Sequence, residues 1–329
     1  MSATLWDTTG GEVVRALSTE RRMAGGVASG LALTLVVVAD EKQVAEAEKA
    51  ATTAAAMHPC RLLIVVRRKL DGDDRLDAEV AIGGRLGPTE AVVMRMHGRL
   101  TLHAESVVLP LLASDAPVVT WWVGAPPDRI AHDPLGVLAD RRITDVAQTA
   151  DPLAALRVRA QDYAPGDTDL AWTRATGWRA LLASAFDALD GQPERAVVKA
   201  EAGNASAALL AAWLGNRLGC AAAVEDSAGP GITETSVSLA GGQQVVVHRP
   251  DGRVATLCRE GQPDRALPLP RREAGDLLAE ELRRLDADQP YADALAAATG
   301  LSEDLSARPP EREHVWLDPA QKAAAEAHA

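Results

Sequence analysis

The chain has few of the smaller aromatics: one phenylalanine and two tyrosines among 329 residues, against seven tryptophans. Its core must therefore be packed with Ala, Val and Leu, and the few large rings mark either deep anchors or surfaces that meet something else. Cysteine is scarce as well. Cys60, Cys220 and Cys258 lie far apart, and an odd number cannot all pair within one chain, which suits a reducing cytoplasm. Long hydrophobic runs are missing. The longest, residues 30–39, is interrupted by Thr34 and is far short of the ~20 residues a bilayer requires, and no basic-then-apolar signal pattern opens the chain. Basic charge is in deficit, with 46 acidic residues against 34 Lys and Arg and a net charge of -12. A field of that sign disfavours phosphate backbones and anionic lipid, so neither nucleic acid nor membrane is expected as a partner.

What is present reads as an ordinary globular protein, 47% hydrophobic and 24% charged. At roughly 150 residues per domain, the length suggests two domains. After the capping run Asp7-Thr8-Thr9, Val13, Val14 and Leu17 recur at helical spacing. Residues 31–39 read as a buried strand, the Gly- and Pro-free residues 41–57 as a helix and residues 61–66 as a second buried strand. Strand, helix, strand is a βαβ unit, which implies a parallel sheet covered on both faces. Further strands are expected over 76–82, 91–97 and 117–123, with Gly83-Gly84 and Gly87-Pro88 as turns and a helix over 102–112.

The pattern weakens over 128–165, where the domain junction is placed. Residues 169–188 read as one helix, with Trp178, Leu181, Leu182, Ala185, Phe186 and Leu189 on one stripe. A second βαβ unit follows at 195–199, 204–218 and 220–224. An antiparallel meander over 235–239, 244–248 and 253–259 is separated by Gly241-Gly242 and Pro250-Asp251-Gly252, and a closing helix carries Leu277, Leu278, Leu282 and Leu285. The expected fold class is α/β with α+β character in the C-terminal half. An N-terminal α/β domain with a mixed or parallel sheet spans 1–150, and an α/β domain with the antiparallel meander spans 151–290. A partly flexible extension spans 291–329, its last dozen residues frayed.

Signals for chemistry are weak. The histidines His58, His97, His103, His132, His248, His314 and His328 form no H-E-x-x-H pattern and no zinc spacing with cysteine, so no metal, catalytic or cofactor-binding residues are expected and no cofactor. His58-Pro59-Cys60 reads as a packed helix-to-strand junction, since free Cys tends to be buried. There is no G-x-S-x-G elbow and no P-loop. The Gly-rich residues 25–30 precede a strand, whereas a phosphate cradle follows one, so they read as a flexible entry loop. Glu201-Ala202-Gly203-Asn204-Ala205 does follow a strand and open a helix. Its backbone N–H groups could meet an anion, or Asn204 could be a plain helix cap.

The tryptophans are the better candidates. Trp121 and Trp122 are adjacent on a strand and so point to opposite faces, near the carboxyl end where open α/β sheets gather their sites; both could equally be core of a doubly covered sheet. On one helix, Trp172 lies about 120° from the stripe led by Trp178. One core cannot hold both rings, so Trp172 faces a second layer, the other domain or a partner, beside Asp169, Arg174 and Arg179.

Several ordered segments resemble the OpcA family, the glucose-6-phosphate dehydrogenase assembly proteins of actinobacteria and cyanobacteria. They are Arg61-Leu-Leu-Ile-Val-Val66, His103-Ala-Glu-Ser-Val-Val-Leu-Pro-Leu-Leu112, Pro117-Val-Val-Thr-Trp-Trp-Val-Gly124, Asp133-Pro-Leu-Gly136, Arg141-Arg-Ile-Thr-Asp145, Tyr163-Ala-Pro-Gly-Asp-Thr-Asp-Leu-Ala-Trp-Thr-Arg174 and Trp178-Arg-Ala-Leu-Leu182. The Ala- and Arg-rich composition fits the actinobacterial type. The resemblance implies a non-catalytic protein that binds glucose-6-phosphate dehydrogenase, promotes its active oligomer and so supports the oxidative pentose phosphate pathway and NADPH production. Candidate partner-binding residues within the matching segments are Trp121, Trp122, Arg141, Arg142, Asp169, Trp172, Arg174, Trp178 and Arg179. The alternative is a two-domain α/β enzyme or sensor that binds a sugar phosphate or nucleotide at the carboxyl edge of its sheet, in a pocket lined by Arg141, Arg142 and the Gly203 turn. A third reading is an interaction protein with no effect on activity.

Overall fold

A computed structural model describes residues 2–24, 31–83, 90–186 and 191–310. The expected entry loop at 25–30, the turn at Gly84 and Gly87-Pro88, Leu189, and the frayed last dozen residues with His314 and His328 lie outside the described residues.

The first part of the chain forms β1 (Ser2–Leu5), α1 (Gly10–Met23), β2 (Leu33–Ala39), α2 (Val44–Ala55), β3 (Cys60–Arg67), β4 (Arg75–Ile82) and β5 (Glu90–His97). It continues through α3 (Ala104–Val108), β6 (Val118–Trp122), α4 (Pro134–Val137), β7 (Arg141–Thr144), α5 (Pro152–Asp162) and β8 (Asp167–Asp169). The eight strands make one sheet in the order β1-β4-β5-β3-β2-β6-β7-β8. β4 is antiparallel to both its neighbours, and the pairs from β5 to β8 are parallel.

Alternation sends the strand residues into two cores. Leu35, Val37, Leu62 and Ile64 pack with α2 on one face, while Val36, Leu63, Val65 and Met94 pack with Val13 and Leu17 of α1 on the other. α1 begins at a capping box. Thr9 Oγ1 accepts from the Glu12 N–H at 3.3 Å and the Glu12 carboxylate accepts from the Thr9 N–H at 3.0 Å, so the Asp7-Thr8-Thr9 run does cap a helix.

The second part forms α6 (Leu170–Arg174), α7 (Thr176–Phe186), β9 (Pro193–Ala200), α8 (Ala205–Leu218), β10 (Ala221–Asp226), β11 (Ile232–Leu239), β12 (Gln244–His248), β13 (Val254–Arg259) and β14 (Arg265–Pro268). Its sheet runs β10-β9-β11-β12-β13-β14, with β10 and β9 parallel and the rest antiparallel. α7 and α8 cover one face, burying Trp178, Leu182, Leu210 and Leu214 against Ala196, Val198, Val237, Val245 and Val247. On the other face, Val197, Ser236 and Val246 remain partly exposed.

The closing helix, α9 (Ala274–Glu281), sends Leu277, Leu278 and Leu282 into the first sheet's core beside α2. α10 (Gln289–Thr299) packs on α8, and α5, α6, α8 and α10 enclose a fourth core around Leu156, Trp172, Leu209 and Tyr291.

The single helix expected over 169–188 is two helices that meet at Ala175. Trp172 and Trp178 therefore sit in different cores, Trp172 in that fourth cluster and Trp178 under the second sheet. The geometric conflict on one straight helix is resolved by breaking the helix.

Candidate functional site

β7 brings Arg141 and Arg142 into the interior, where each is 3% exposed. Adjacent strand residues point to opposite faces, so the two guanidiniums find different partners. Arg141 Nη2 donates to Glu281 of α9 at 2.5 Å, and its Nη1 donates to the Asp286 carbonyl at 2.8 Å. Arg142 pairs with Asp167 on the neighbouring strand and donates to the Ala139 and Pro165 carbonyls, both at 2.9 Å. Both arginines are saturated within the chain, as buried charges must be.

A second group sits where β8 passes into α6. Asp169 is fully buried and caps α6 through a 2.8 Å bond from the Ala171 N–H, while its other oxygen accepts from Thr144 Oγ1 at 2.6 Å and the Val146 N–H at 3.0 Å. Arg174 forms a two-pronged pair with Asp145 at 2.6 and 2.5 Å. Arg179 lies over the Trp172 ring, its guanidinium carbon 3.4 Å from the centroid, and donates to the Trp172 carbonyl at 2.7 Å. Burial pulls its pKa down to about 10. The Trp172 indole N–H donates to Asp288 at 2.9 Å.

Trp121, Trp122, Trp172 and Trp178 are each at most 2% exposed. Trp121 packs in the first sheet's α2-side core, and neither its indole N–H nor that of Trp122 has a hydrogen-bond partner, so both rings act as apolar filling. Seven of the nine expected contact residues are thus interior, and Arg174 and Arg179 are partly exposed.

Burial, and next the charge on Asp145, push the Asp169 carboxyl from its ordinary 3.8 up to about 6. A raised carboxyl pKa means the folded chain holds the proton more tightly than the unfolded one. This contribution to stability is complete below about pH 4 and is lost as pH rises through about 6. The unfolding free energy of wild type relative to Asp169→Asn, followed by urea denaturation, is therefore expected to fall between pH 4 and 6 and to be flat above 7. A flat difference across the whole range would contradict the raised pKa.

The Gly203 turn does open a helix. Gly203 has φ +75°, a conformation that favours glycine, and Asn204 caps α8 by accepting from the Ala207 N–H at 2.8 Å. The turn borders a cavity of about 710 Å³ whose wall includes Arg174, Trp178, Arg249, Arg271 and Arg272. Arg141 and Arg142 are not part of it. The cations the turn meets come from residues 249 and 271–272, in the segments after β12 and β14, and only the Pro-rich run Pro268-Leu269-Pro270-Arg271-Arg272 hints at them in sequence.

His58 Nε2 lies 2.9 Å from the Ala279 carbonyl, and burial pushes the Cys60 thiol up to about 12, so this junction is packed and its thiol is inert. Among the described residues no cluster of three His, Cys, Asp or Glu could hold a metal ion, and no helix is long and apolar enough to cross a membrane.

No curated protein matches the chain. Among solved structures, an oxidoreductase from Sinorhizobium meliloti is 12% identical, covering 87% of this chain and 99% of its own, with a TM-score of 0.45. The 3-ketoreductase KijD10 from Actinomadura kijaniata is 8% identical, covering 81% of this chain and 95% of its own, with a TM-score of 0.41. Likeness at these scores carries no inference about this chain. Two family models do match in chain order, the glucose-6-phosphate dehydrogenase subunit N-terminal domain over residues 51–161 and the C-terminal domain of the same subunit over 165–295. The chain belongs to the OpcA family of glucose-6-phosphate dehydrogenase assembly proteins, and its partner is that dehydrogenase.

Proposed function

We propose that this assembly subunit performs no chemistry of its own and activates glucose-6-phosphate dehydrogenase by docking on it through the open face of the second sheet. The observation that supports the docking face is the division of labour within the fold. Trp121, Trp122, Trp172 and Trp178 and the paired Arg141 and Arg142 are consumed inside the chain, while one face of a six-stranded sheet stays partly exposed. Register aligns Ala223, Val197, Ser236, Val246 and Cys258 across five strands of that face. The next row is polar, Glu225, Lys199, Glu234 and His248, with Lys199 and Glu234 paired at 2.8 Å. A small apolar strip with a charged border is the composition of a protein–protein contact.

The interior residues singled out from sequence, Trp121, Trp122, Arg141, Arg142, Asp169, Trp172 and Trp178, then serve to hold the two sheets in position. Activation follows by mass action. A subunit that binds the active oligomer of the dehydrogenase better than the inactive form shifts the population by its difference in affinity and no more. NADPH production through the oxidative pentose phosphate pathway rises accordingly.

Val246→Asp tests the face. Association with the dehydrogenase, measured by titration calorimetry, is expected to weaken about ten-fold or more, with thermal unfolding close to wild type. Unchanged affinity in a folded variant would move the interface elsewhere.

A further inference from the structure

We propose that the cavity at the N-terminus of α8 is a binding site for a phosphorylated small molecule. Its volume of about 710 Å³ is within the range of metabolite pockets, roughly 300–1,000 Å³. Nothing in the assembly role requires such a cavity.

The helix supplies the first donors. α8 has 14 residues and its positive end faces the cavity. Asn204 satisfies the Ala207 N–H with its side chain and the Ala208 N–H with its carbonyl. The Ala205 and Ser206 amides are the ones a helix leaves without an internal acceptor, and both residues line the cavity.

The second and independent observation is Arg249, also on the cavity wall. It is 7% exposed and in no ion pair among the described residues, with Asp251 the one carboxylate whose charge acts on it. Nη1 and Nη2 donate to the Leu269 and Ile232 carbonyls at 2.9 and 3.1 Å, the guanidinium carbon lies 5.0 Å from the Trp178 ring centroid, and the buried Nε has no hydrogen-bond partner. A buried arginine outside any ion pair gains from an anion that reaches its open N–H. Burial, and then the neighbouring Arg271, pull its pKa down against a smaller upward pull from Asp251.

Arg271 adds an exposed guanidinium that is in no ion pair among the described residues. It lies against the backbone of Gly231 and Gly252, with side-chain nitrogens 3.0 Å from where a Cβ would stand at each, and both glycines have positive φ, +68° and +70°. A Cβ at either position would be backbone-strained and would make the guanidinium shift by a few tenths of an ångström. The other two arginines of the wall are already neutralised, Arg174 by Asp145 and Arg272 by Glu280. Glu201 is the one carboxylate among the lining residues, and it accepts from Asn204 Nδ2 at 3.0 Å.

The charge balance selects the ligand. Arg249 and Arg271, neither in an ion pair among the described residues, together with a helix end exceed what one carboxylate ligand would neutralise, whereas a phosphate monoester carries about -1.5 to -2 and three acceptor oxygens that match forked arginine donors. The remaining wall, with Trp178, Ile232, Leu269 and prolines, is apolar and suits the sugar or base that the phosphate carries.

The test uses the full chain alone, by isothermal titration calorimetry, with inorganic phosphate, glucose 6-phosphate and AMP as probes and glucose as the uncharged control. At least one ester is expected to bind saturably, glucose is not, and Arg271→Gln is expected to weaken the ester about ten-fold or more while leaving thermal unfolding of the free chain unchanged. Arg195→Gln, on the second sheet, is expected to leave binding intact. No saturable heat from either ester, or equal binding to Arg271→Gln, would overturn the site. Saturation by inorganic phosphate without either ester would mark an adventitious ion only. The dehydrogenase is absent from the cell, so failure here leaves the docking proposal standing and failure of docking leaves the site standing.

Discussion

Glu281→Ala is expected to lower the unfolding free energy by about 3–5 kcal/mol, the size seen when one partner of a buried ion pair is removed. Glu281 is 7% exposed and holds Arg141 Nη2 at 2.5 Å and Thr173 Oγ1 at 2.5 Å. It stands on α9, whereas Arg141 is on β7 of the first sheet and Thr173 on α6, so one carboxylate joins three elements. Truncation leaves a buried guanidinium whose one other acceptor among the described residues is the Asp286 carbonyl. Urea denaturation of the variant measures the loss. The double replacement Arg141→Met with Glu281→Met is expected to recover most of it, since the unpaired charge causes the damage more than the missing attraction does. A single variant within about 1 kcal/mol of wild type would show that the pair is hydrated and does not hold α9 to the sheet.

Trp172→Ala is the other large effect, about 3–5 kcal/mol of stability lost from a full Trp-to-Ala cavity. The ring is 2% exposed, meets Tyr291 at a centroid distance of 6.0 Å, supports Arg179 on its face and bonds Asp288 through its N–H. Asp288 in turn caps α10 by accepting from the Tyr291 N–H at 3.0 Å, so the ring ties α6 to the start of α10. The informative readout is the split between stability and association. At a temperature where the variant is folded, its affinity for the dehydrogenase is expected to equal that of wild type. A stable variant that binds about ten-fold more weakly would instead make Trp172 a contact residue.

The first βαβ unit was legible because residues 33–39 and 60–67 are continuous β-branched and Leu runs, the pattern of strands buried on both faces. The meander was legible from its glycine turns and its alternation. Other elements left little trace. β7 and β8 are short and charged, and their Arg142 and Asp167 are buried only because each neutralises the other across the ladder. α10 is built on alanines, with Tyr291 and Leu295 as its large buried residues, so it shows no broad apolar stripe. At the break, the Trp172 carbonyl accepts from the Ala175 N–H and from Arg179, and the Thr173 carbonyl accepts from Arg272, where a continuous helix would bond both to N–H groups four residues onward.

The candidate sites divide the same way. The Gly203 turn could be read from a strand that ends where a helix begins, because that chemistry is local. Arg249 and Arg271 reach the cavity from more distant positions in the sequence, through loops whose spatial placement depends on the strand order of the second sheet. Trp172 does lie in a different core from Trp178, but the single helix behind that expectation is broken at Ala175, and the second layer is built by α10 of the same chain.

The chain acts by assembling with glucose-6-phosphate dehydrogenase. Mixing the two purified proteins from one organism and following mass by light scattering and NADPH formation by absorbance tests it most directly. The expected result is a larger complex and a higher rate that saturate at the same ratio of the two chains. A dehydrogenase whose mass and rate are both unchanged across the titration would contradict it.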